Sequence, residues 1–244
     1  MLIEGDVTGL EVVGVAYLSQ DRVLCEEIRN GEDIHGNNQQ RFGFIKGPKG
    51  RLVAKIFKFR LIYGGSAYAY AHDPDFNWIS SSVKYWQKII DTYYDKYQGI
   101  YIWHNKIYEQ ALMANTWVSP TGRRYVYEPY KNNRGEWEWP RTKILNYPVQ
   151  GLGADLMTIA RLSAKRRLGK RLSEDVLFIN TVHDSILLDS PKEVVYPVCS
   201  ILEGVFTDIP KNFMKIFKVP FNLPMRGEVK FGHNWKDMEK YKGQ

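Results

Sequence analysis

Short apolar runs mark two places where the chain predicts strands. The opening run at 2–3 leads directly into Asp6. Much later, apolar runs at 176–182 and 186–188 flank a polar triplet that contains Asp184. Short apolar runs bounded by polar turn residues are typical of buried strands. The pattern therefore predicts one strand that ends in a carboxylate and one hairpin that carries a carboxylate at its tip.

Two helical patterns and two irregular segments lie between these strand signals. Apolar residues recur at helical spacing over 51–71 and again over 150–171. Segment 38–52 is polar and rich in Gly, Lys and Arg, which predicts a loop. Segment 119–141 places Pro, Gly and Asn among alternating aromatic residues, which predicts hairpins and loops. We place boundaries in these two irregular segments. The predicted parts are residues 1–38, 39–139 and 140–244.

The charge of the chain narrows the classes of partner. A formal charge of +7 over 244 residues favours either nucleic acid or an anionic membrane. No apolar run reaches the length of a membrane span, and the N-terminus lacks the basic start and apolar centre of a secretory signal. We therefore expect no membrane partner and a cytoplasmic location. The two cysteines, Cys25 and Cys199, are too few for a disulfide framework or a zinc cluster.

Aromatic residues are abundant, and their position relative to basic residues favours nucleic acid slightly. The chain has 16 tyrosines and 7 tryptophans, many of them among basic residues between Tyr63 and Trp139. Rings beside positive charge suit a single-stranded template or a splayed base. Aromatic residues nevertheless fill cores and interfaces more often than they bind bases, so composition leaves both interpretations open.

One helical face combines cations and rings at a regular interval. Arg51, Lys55, Phe59 and Tyr63 recur every four residues and therefore line one slowly drifting face of a helix. A nucleoside triphosphate along this face would place its phosphates against the two cations and its sugar and base against the two rings. An ordinary amphipathic helix is the alternative. Its apolar side would comprise Val53, Ile56, Phe57 and Leu61.

The carboxylates at the two strand ends suggest a metal site. Asp184 sits among apolar residues, where an unpaired charge is unfavourable, so both it and Asp6 need cations nearby. Two aspartates that bridge a pair of Mg²⁺ ions are the arrangement that phosphoryl-transferring polymerases use. Mg²⁺ takes only one or two carboxylates beside substrate phosphates and water. The alternative is that one aspartate caps a turn and the other forms a salt bridge.

The end of the 150–171 pattern is strongly basic. These cations either follow nucleic-acid phosphates or complement the partial negative charge at a helix C-terminus, and the sequence does not choose between the two. The residues are Arg161, Lys165, Arg166, Arg167, Lys170 and Arg171.

Ordered motifs over essentially the whole chain resemble the DNA polymerase I family, or family A. They are similar, in order, to the first palm motif with its downstream Asp-Ile-His, the fingers helix, the blocks that follow it, the last palm motif and the terminal Gly-x-Asn-Trp. The segments that carry the resemblance are Asp6-Val7-Thr8-Gly9-Leu10-Glu11, Gly31-Glu32-Asp33-Ile34-His35, Arg51 to Gly64, Thr121-Gly122-Arg123-Arg124, Asn146 to Gly151, Val182-His183-Asp184 and Gly232-His233-Asn234-Trp235.

The resemblance implies an α/β (α+β) fold and a two-metal polymerase. The fold would be a right-hand palm, with an antiparallel sheet at 1–38 and 140–244, and a mostly helical fingers subdomain at 39–139. The reaction would be attack of a primer 3′ oxygen on the α-phosphate of a deoxynucleoside triphosphate, directed by template DNA. The implied cofactor is Mg²⁺, as two ions for which Mn²⁺ can substitute.

The same resemblance assigns the metal and triphosphate contacts. Asp6 and Asp184 would bind both ions, with the backbone carbonyl of Val7 as an added ligand. Lys55 is the implied proton donor to departing pyrophosphate. The residues implied to hold the triphosphate are Arg51, Lys55 and His35.

The remaining implied contacts are to the sugar and to DNA. Glu11 would lie under the sugar as the gate against a ribose hydroxyl, with Phe59 beside it. Tyr63 and Gly64 would guard the templating position. A core histidine with satisfied hydrogen bonds is the other interpretation of His183. The residues implied to contact primer and template near the nascent pair are Asn146, Gln150, His183 and Arg141.

The chain departs from the family pattern at three places. Thr8-Gly9 replaces the usual Ser-Gln, and Ser185 replaces the Glu that follows the last His-Asp. Arg60 stands where the family has a glycine, and the sequence offers no account of this charge. The first two changes suggest an alternative function, a degenerate, non-catalytic palm that binds DNA or a replication partner. A single-subunit RNA polymerase is a further alternative, which Glu11 at the sugar gate weakens.

The family arrangement also implies a partner. In the family, the thumb, the early palm strands and any 3′–5′ exonuclease precede the first palm motif, and here Met1 lies just before Asp6. We expect a naturally split polymerase, encoded by a bacteriophage and active in the host cytoplasm, whose other subunit carries thumb and exonuclease. A palm and fingers alone would hold duplex weakly. The alternative is a fragment produced by expression or cleavage of a longer chain.

Overall fold

The computed structural model describes residues 1–172 and 175–243, with side chains for all of these except Lys170 and Arg171. The chain divides into two compact units, Met1–Gly14 with Gln150–Gln244, and Val15–Val149. The helices are α1 (Leu10–Ser19), α2 (Arg22–Asn30), α3 (Ile34–Arg41), α4 (Pro48–Ile62), α5 (Ala67–His72), α6 (Val83–Lys96), α7 (Gln98–Ala114), α8 (Arg141–Arg171), α9 (Val195–Thr207) and α10 (Ile209–Phe217). The strands are β1 (Leu2–Val7), β2 (Thr116–Val118), β3 (Arg124–Val126), β4 (Tyr130–Lys131), β5 (Trp137–Glu138), β6 (Leu177–Val182), β7 (Ser185–Asp189), β8 (Gly227–Gly232) and β9 (Glu239–Lys240).

The first unit is built on a five-stranded antiparallel sheet with the order β6-β7-β1-β8-β9. Strand β1 lies at its centre because both of its edges are paired, with β7 on one side and β8 on the other. Its side chains alternate, so Ile3 and Val7 are fully buried while Glu4 and Asp6 lie on the other face. The predicted hairpin is confirmed, since β6 and β7 pair around the turn at 183–184.

Helix α9 covers the apolar face of this sheet at close range. Its residues Leu202, Val205 and Phe206 are fully buried. A Cβ atom added at Gly5 would lie 2.9 Å from the Phe206 ring, and one at Gly227 would lie 2.2 Å from it. Because only hydrogen fits at these two strand positions, glycine is what lets the helix press on the sheet. The face opposite α9 is therefore the one left for polar side chains.

The second unit is mostly helical and has an aromatic core. Trp86 is fully buried, and its ring stacks on Tyr70 at 5.4 Å and on Phe57 at 5.9 Å between ring centres. Tyr93 and Tyr97 are also fully buried. These rings belong to the segment whose composition hinted at base stacking, and their burial shows that many of them serve packing instead.

Two details of the predicted helices were wrong. The 38–52 segment is a loop only between α3 and α4, because α3 is held by the buried polar side chains of Asn38 and Gln39 and lacks an apolar stripe. The 51–71 helix breaks after Ile62, where Gly64 adopts a φ of +90° that favours glycine. The hairpins predicted in 119–141 are confirmed as β2–β3 and β4–β5.

The last long helix, α8, begins at Arg141, nine residues before its apolar pattern starts, and contains Pro148. Within the described residues, no helix combines the length and the apolar character that crossing a membrane requires.

Candidate active site

The sheet of the first unit joins the two predicted aspartates. Asp6 lies opposite Ser185 in the β1–β7 register. The N–H of Val7 donates to the carbonyl oxygen of Asp184 at 2.8 Å, which ties the hairpin turn to the end of β1. His183, the other turn residue, adopts a left-handed φ of 50°, an unfavourable conformation for a residue with a side chain. The two carboxylates are thus held as neighbours by backbone hydrogen bonds.

Negative charge accumulates around Asp6. Its pKa is raised from 3.8 to about 6, first by burial and then by repulsion from Asp184, Glu4 and Glu228, while Lys230 opposes the shift. Strand geometry explains the cluster, because Glu4 shares a face with Asp6 and Glu228 lies opposite it on β8. Like charges held together favour either a proton or a bound cation. Two neighbouring carboxylates suit Mg²⁺, which takes one or two beside phosphate and water oxygens.

A second pair of predicted residues meets beside this strand. Glu11 lies in the first turn of α1, and the Gln150 side-chain amide donates to its carboxylate at 2.6 Å. The loop before α1 contains Gly9 at a φ of +63°, and a Cβ there would meet no atom within 4 Å. The glycine departure therefore serves the backbone conformation of this turn. Gln150 fixes the direction of Glu11.

In the second unit, Arg51 on α4 is already engaged by a carboxylate. Its guanidinium donates to both oxygens of Asp33, with Nη2 at 2.7 Å and Nε at 3.0 Å. This pair lowers the pKa of Asp33 and is about half exposed on both sides. A planar guanidinium that holds a carboxylate in this way presents the geometry that phosphate also fits. Lys55, one turn further along α4, is exposed.

His35 faces the same helix from α3. Its ring lies 6.2 Å from the Phe59 ring, and the Lys55 ammonium lies 6.0 Å from that ring, all between centres or to the centre. Burial lowers the pKa of His35 to about 3, with help from Lys58 and Arg51. Among the described residues, none hydrogen-bonds to the buried Nδ1 of His35. The structure therefore brings together the residues predicted for triphosphate and sugar that lie in this unit.

The other predicted DNA contacts of this unit lie near the start of α8. Tyr63 ends α4, and a Cβ on the next residue, Gly64, would lie 3.9 Å from the Arg141 side chain. The Arg141 guanidinium sits 4.8 Å from the centre of the Tyr108 ring. The buried Oδ1 of Asn146 has no hydrogen-bond partner within the described part of the chain.

Comparison with known proteins identifies the family. The sequence model described as "DNA polymerase family A" matches residues 1–237. The chain belongs to DNA polymerase family A. It is 28% identical over 241 residues to DNA polymerase I of Treponema pallidum (strain Nichols), which covers 97% of the chain and 23% of the relative. It is 29% identical to DNA polymerase I of Lactococcus lactis subsp. cremoris (strain MG1363), covering 96% and 26%. The chain thus spans about a quarter of these relatives' length.

A solved family A structure shows the same fold. The POL domain of Pol1 from M. smegmatis, in complex with DNA primer-template and dNTP, superposes with a TM-score of 0.81. The match covers 96% of this chain and 40% of that one at 22% sequence identity. The predicted palm sheet with a mostly helical fingers subdomain is confirmed. The predicted boundaries at 39 and 139 and the individual residue roles stay predictions.

Some functional residues escaped the sequence interpretation. Arg60 forms ion pairs with Asp73 and with Asp75, the latter at 3.2 Å, and its guanidinium lies 4.9 Å from the centre of the Phe76 ring. It therefore anchors the segment after α5 to the family A fingers helix. These partners lie 13 or more residues away, so no local spacing announces them.

The basic end of α8 divides between described and undescribed side chains. Arg167 donates to the Asp208 carboxylate at 2.5 Å, which gives this cation a structural partner. The side chains of Lys170 and Arg171 lie outside the described residues.

Proposed function

We propose that this chain is the palm and fingers of a DNA-templated DNA polymerase, which adds deoxynucleoside monophosphates to a primer 3′ end. One observation carries the proposal. In a family A chain, the hydrogen bond from Val7 N–H to the Asp184 carbonyl places the last palm motif against the first, so that two aspartates share one acidic surface. This is the arrangement that phosphoryl transfer by two metal ions requires.

Asp6 and Asp184 would hold two Mg²⁺ ions, or Mn²⁺ in their place, with the carbonyl of Val7 as a further ligand. The residues fit this role because Asp6 lies in a field of like charges that raises its pKa to about 6. Such a field binds divalent cations and disfavours two bare carboxylates. When bound, the ions would lower the pKa of the primer hydroxyl and neutralise charge on the leaving phosphates.

The triphosphate would lie along α4. Arg51 would exchange its carboxylate partner, Asp33, for a phosphate, since both ligands match the planar guanidinium. The exchange is easy because the pair is about half exposed. Lys55 would donate the proton that departing pyrophosphate needs, and neutral His35 would donate one ring N–H to a phosphate oxygen.

Selection of the sugar would rest on Glu11. A carboxylate whose direction Gln150 fixes would stand beneath the sugar and leave no space for a ribose hydroxyl. Phe59 would close the other side of the sugar. Tyr63, Gly64, Arg141, Asn146, Gln150 and His183 would complete the contacts to template and primer.

The partners we propose are primer-template DNA, deoxynucleoside triphosphates and a second polypeptide that carries a thumb and a 3′–5′ exonuclease. Support for the first two comes from the fold neighbour, whose complex contains DNA primer-template and dNTP. Support for the third comes from the relatives, of whose length the chain matches about a quarter. Such an enzyme would be a split polymerase of a bacteriophage, at work in the host cytoplasm, with palm at 1–38 and 140–244 and fingers at 39–139.

Primer extension tests the proposal. The chain is assayed with Mg²⁺ on a primed template, alone and after addition of the polypeptide encoded beside it. We expect Asp184→Asn to lower the rate at least ~1,000-fold, because a ligand that acts in the transition state is lost. The matched control is Asp189→Asn, at the other end of β7, which removes an exposed carboxylate that pairs with the N-terminus. Wild-type extension by Asp184→Asn would refute the proposal and favour a non-catalytic palm.

A further inference from the structure

The apolar side of α4 contains one buried cation. Lys58 is 1% exposed, and it lies on the helix among Val53, Ala54, Phe57 and Leu61, which are all buried. Lysine is almost never fully buried unless its charge is compensated or used. Removal of an ammonium ion from water costs several kcal/mol after relaxation, and an apolar side chain of the same length would avoid this cost. The position therefore demands a reason beyond packing.

Helix geometry places Lys58 with the predicted phosphate ligands. At about 100° per residue, Lys58 is rotated by only about 20° from Arg51 and by about 60° from Lys55. Its ammonium lies 5.2 Å from the centre of the Phe59 ring, and that of Lys55 lies 6.0 Å from the same centre. Lys58 thus forms the inner member of a group of three cations along one side of α4.

The group meets His35 on the neighbouring helix α3. Lys58 is the charged residue with the largest effect on the imidazole, ahead of Arg51 and Lys55, and all three oppose its protonation. Asp33, at the N-terminus of α3, acts in the opposite direction. The buried Nδ1 of His35 has no hydrogen-bond partner within the described residues, so no neighbouring acceptor or donor fixes its protonation state. The field of the three cations then decides it.

We propose that Lys58 is a positioning residue of the triphosphate site, which keeps His35 neutral and adds positive potential to the surface formed by Arg51 and Lys55. The inference rests on the proposed function, because it assigns the ligand as the phosphates of a nucleotide. A neutral His35 gives the phosphates one N–H donor without a second full charge. Binding then depends little on the protonation of this ring near pH 7, and pyrophosphate leaves a surface of fixed charge.

Two readouts on the 244-residue chain test the inference. The first is an NMR titration of the histidine rings, in which His35→Gln identifies the His35 signal. We expect wild-type His35 to stay neutral down to at least pH 5, and Lys58→Met to move its pKa clearly towards the ordinary value of 6.5. The second is calorimetric binding of dATP with Mg²⁺, for which we expect Lys58→Met to weaken affinity roughly tenfold at pH 8 and less at pH 6.

The control variant is Lys49→Met, on the same helix but with its ammonium 4.0 Å from the centre of the Trp78 ring, and it should change neither readout. Adding His35→Gln to Lys58→Met should remove the new pH dependence. A wild-type His35 that titrates near 6.5, or a Lys58→Met chain with wild-type His35 pKa and dATP affinity, would overturn the inference. Absence of dATP binding to the wild-type chain would instead overturn the proposed function, while the His35 titration still judges the electrostatic role of Lys58.

Discussion

Replacement of Asp6 with Asn removes a carboxylate that the folded chain ionises only with difficulty. The pKa of Asp6 is raised from 3.8 to about 6, so between these values the folded state holds a proton that the unfolded chain has lost. Stability therefore falls as the pH rises through this window and is lowest above it. The full shift corresponds to about 3 kcal/mol. Asp6 is only partly buried, and after discounting for solvent screening we expect about 1 to 2 kcal/mol.

In the absence of divalent ions, Asp6→Asn should thus be about 1 to 2 kcal/mol more stable than wild type at pH 8 and no more stable at pH 4. Urea unfolding followed by circular dichroism at both pH values measures this difference. Because the chain has two units, hydrogen exchange of the β1 and β7 amides should accompany it to isolate opening of the sheet. The control is Asp91→Asn, an exposed carboxylate on α6 that accepts a hydrogen bond from Gln87.

Added Mg²⁺ supplies the second half of the experiment. An ion that binds only the folded state stabilises it by about 1.4 kcal/mol at ten times its dissociation constant. Wild type should gain this at pH 8, and Asp6→Asn should gain little. An Asp6→Asn chain that is less stable than wild type at pH 8, or equally stabilised at pH 4 and pH 8, would refute the argument from like charge.

Three other substitutions test the supports of the site. Arg60→Ala should lower stability by about 1 to 2 kcal/mol, because Asp73 loses its charged partner; an unchanged melting temperature would contradict the anchoring role. Lys96→Met should cost about 3 to 5 kcal/mol by leaving Glu27 buried without its cation, and urea unfolding would show a much smaller loss if the pair were dispensable. His183→Gly should stabilise the hairpin by up to about 1 kcal/mol through relief of its positive φ, and a loss of stability would show that the imidazole itself is needed.

The residues that sequence reasoning located best are those fixed by local alternation. Strand β1 and the β6–β7 hairpin follow directly from short apolar runs, and the family motifs placed Asp6 and Asp184 at their ends. Helix α3 was missed because its buried side chains, Asn38 and Gln39, are polar and leave no apolar period. Propensity and pattern cannot reveal a helix held mainly by tertiary contacts.

Pairings between distant residues also lay beyond the sequence. Arg51 and Asp33 are 18 positions apart, and nothing in their spacing shows that the predicted phosphate ligand already holds a carboxylate. The burial of Lys58 was equally hidden, because a lysine on a helix is normally solvated. Both features arise from the packing of α3 on α4, which the local pattern does not encode.

The account depends most on Asp6 and Asp184 acting together as a metal site. Electron paramagnetic resonance of Mn²⁺, titrated into the chain with a non-hydrolysable deoxynucleoside triphosphate and primed DNA, counts the bound ions directly. We expect two tightly bound ions in wild type and loss of at least one in both Asp6→Asn and Asp184→Asn. Equal Mn²⁺ binding by wild type and both variants would contradict the account.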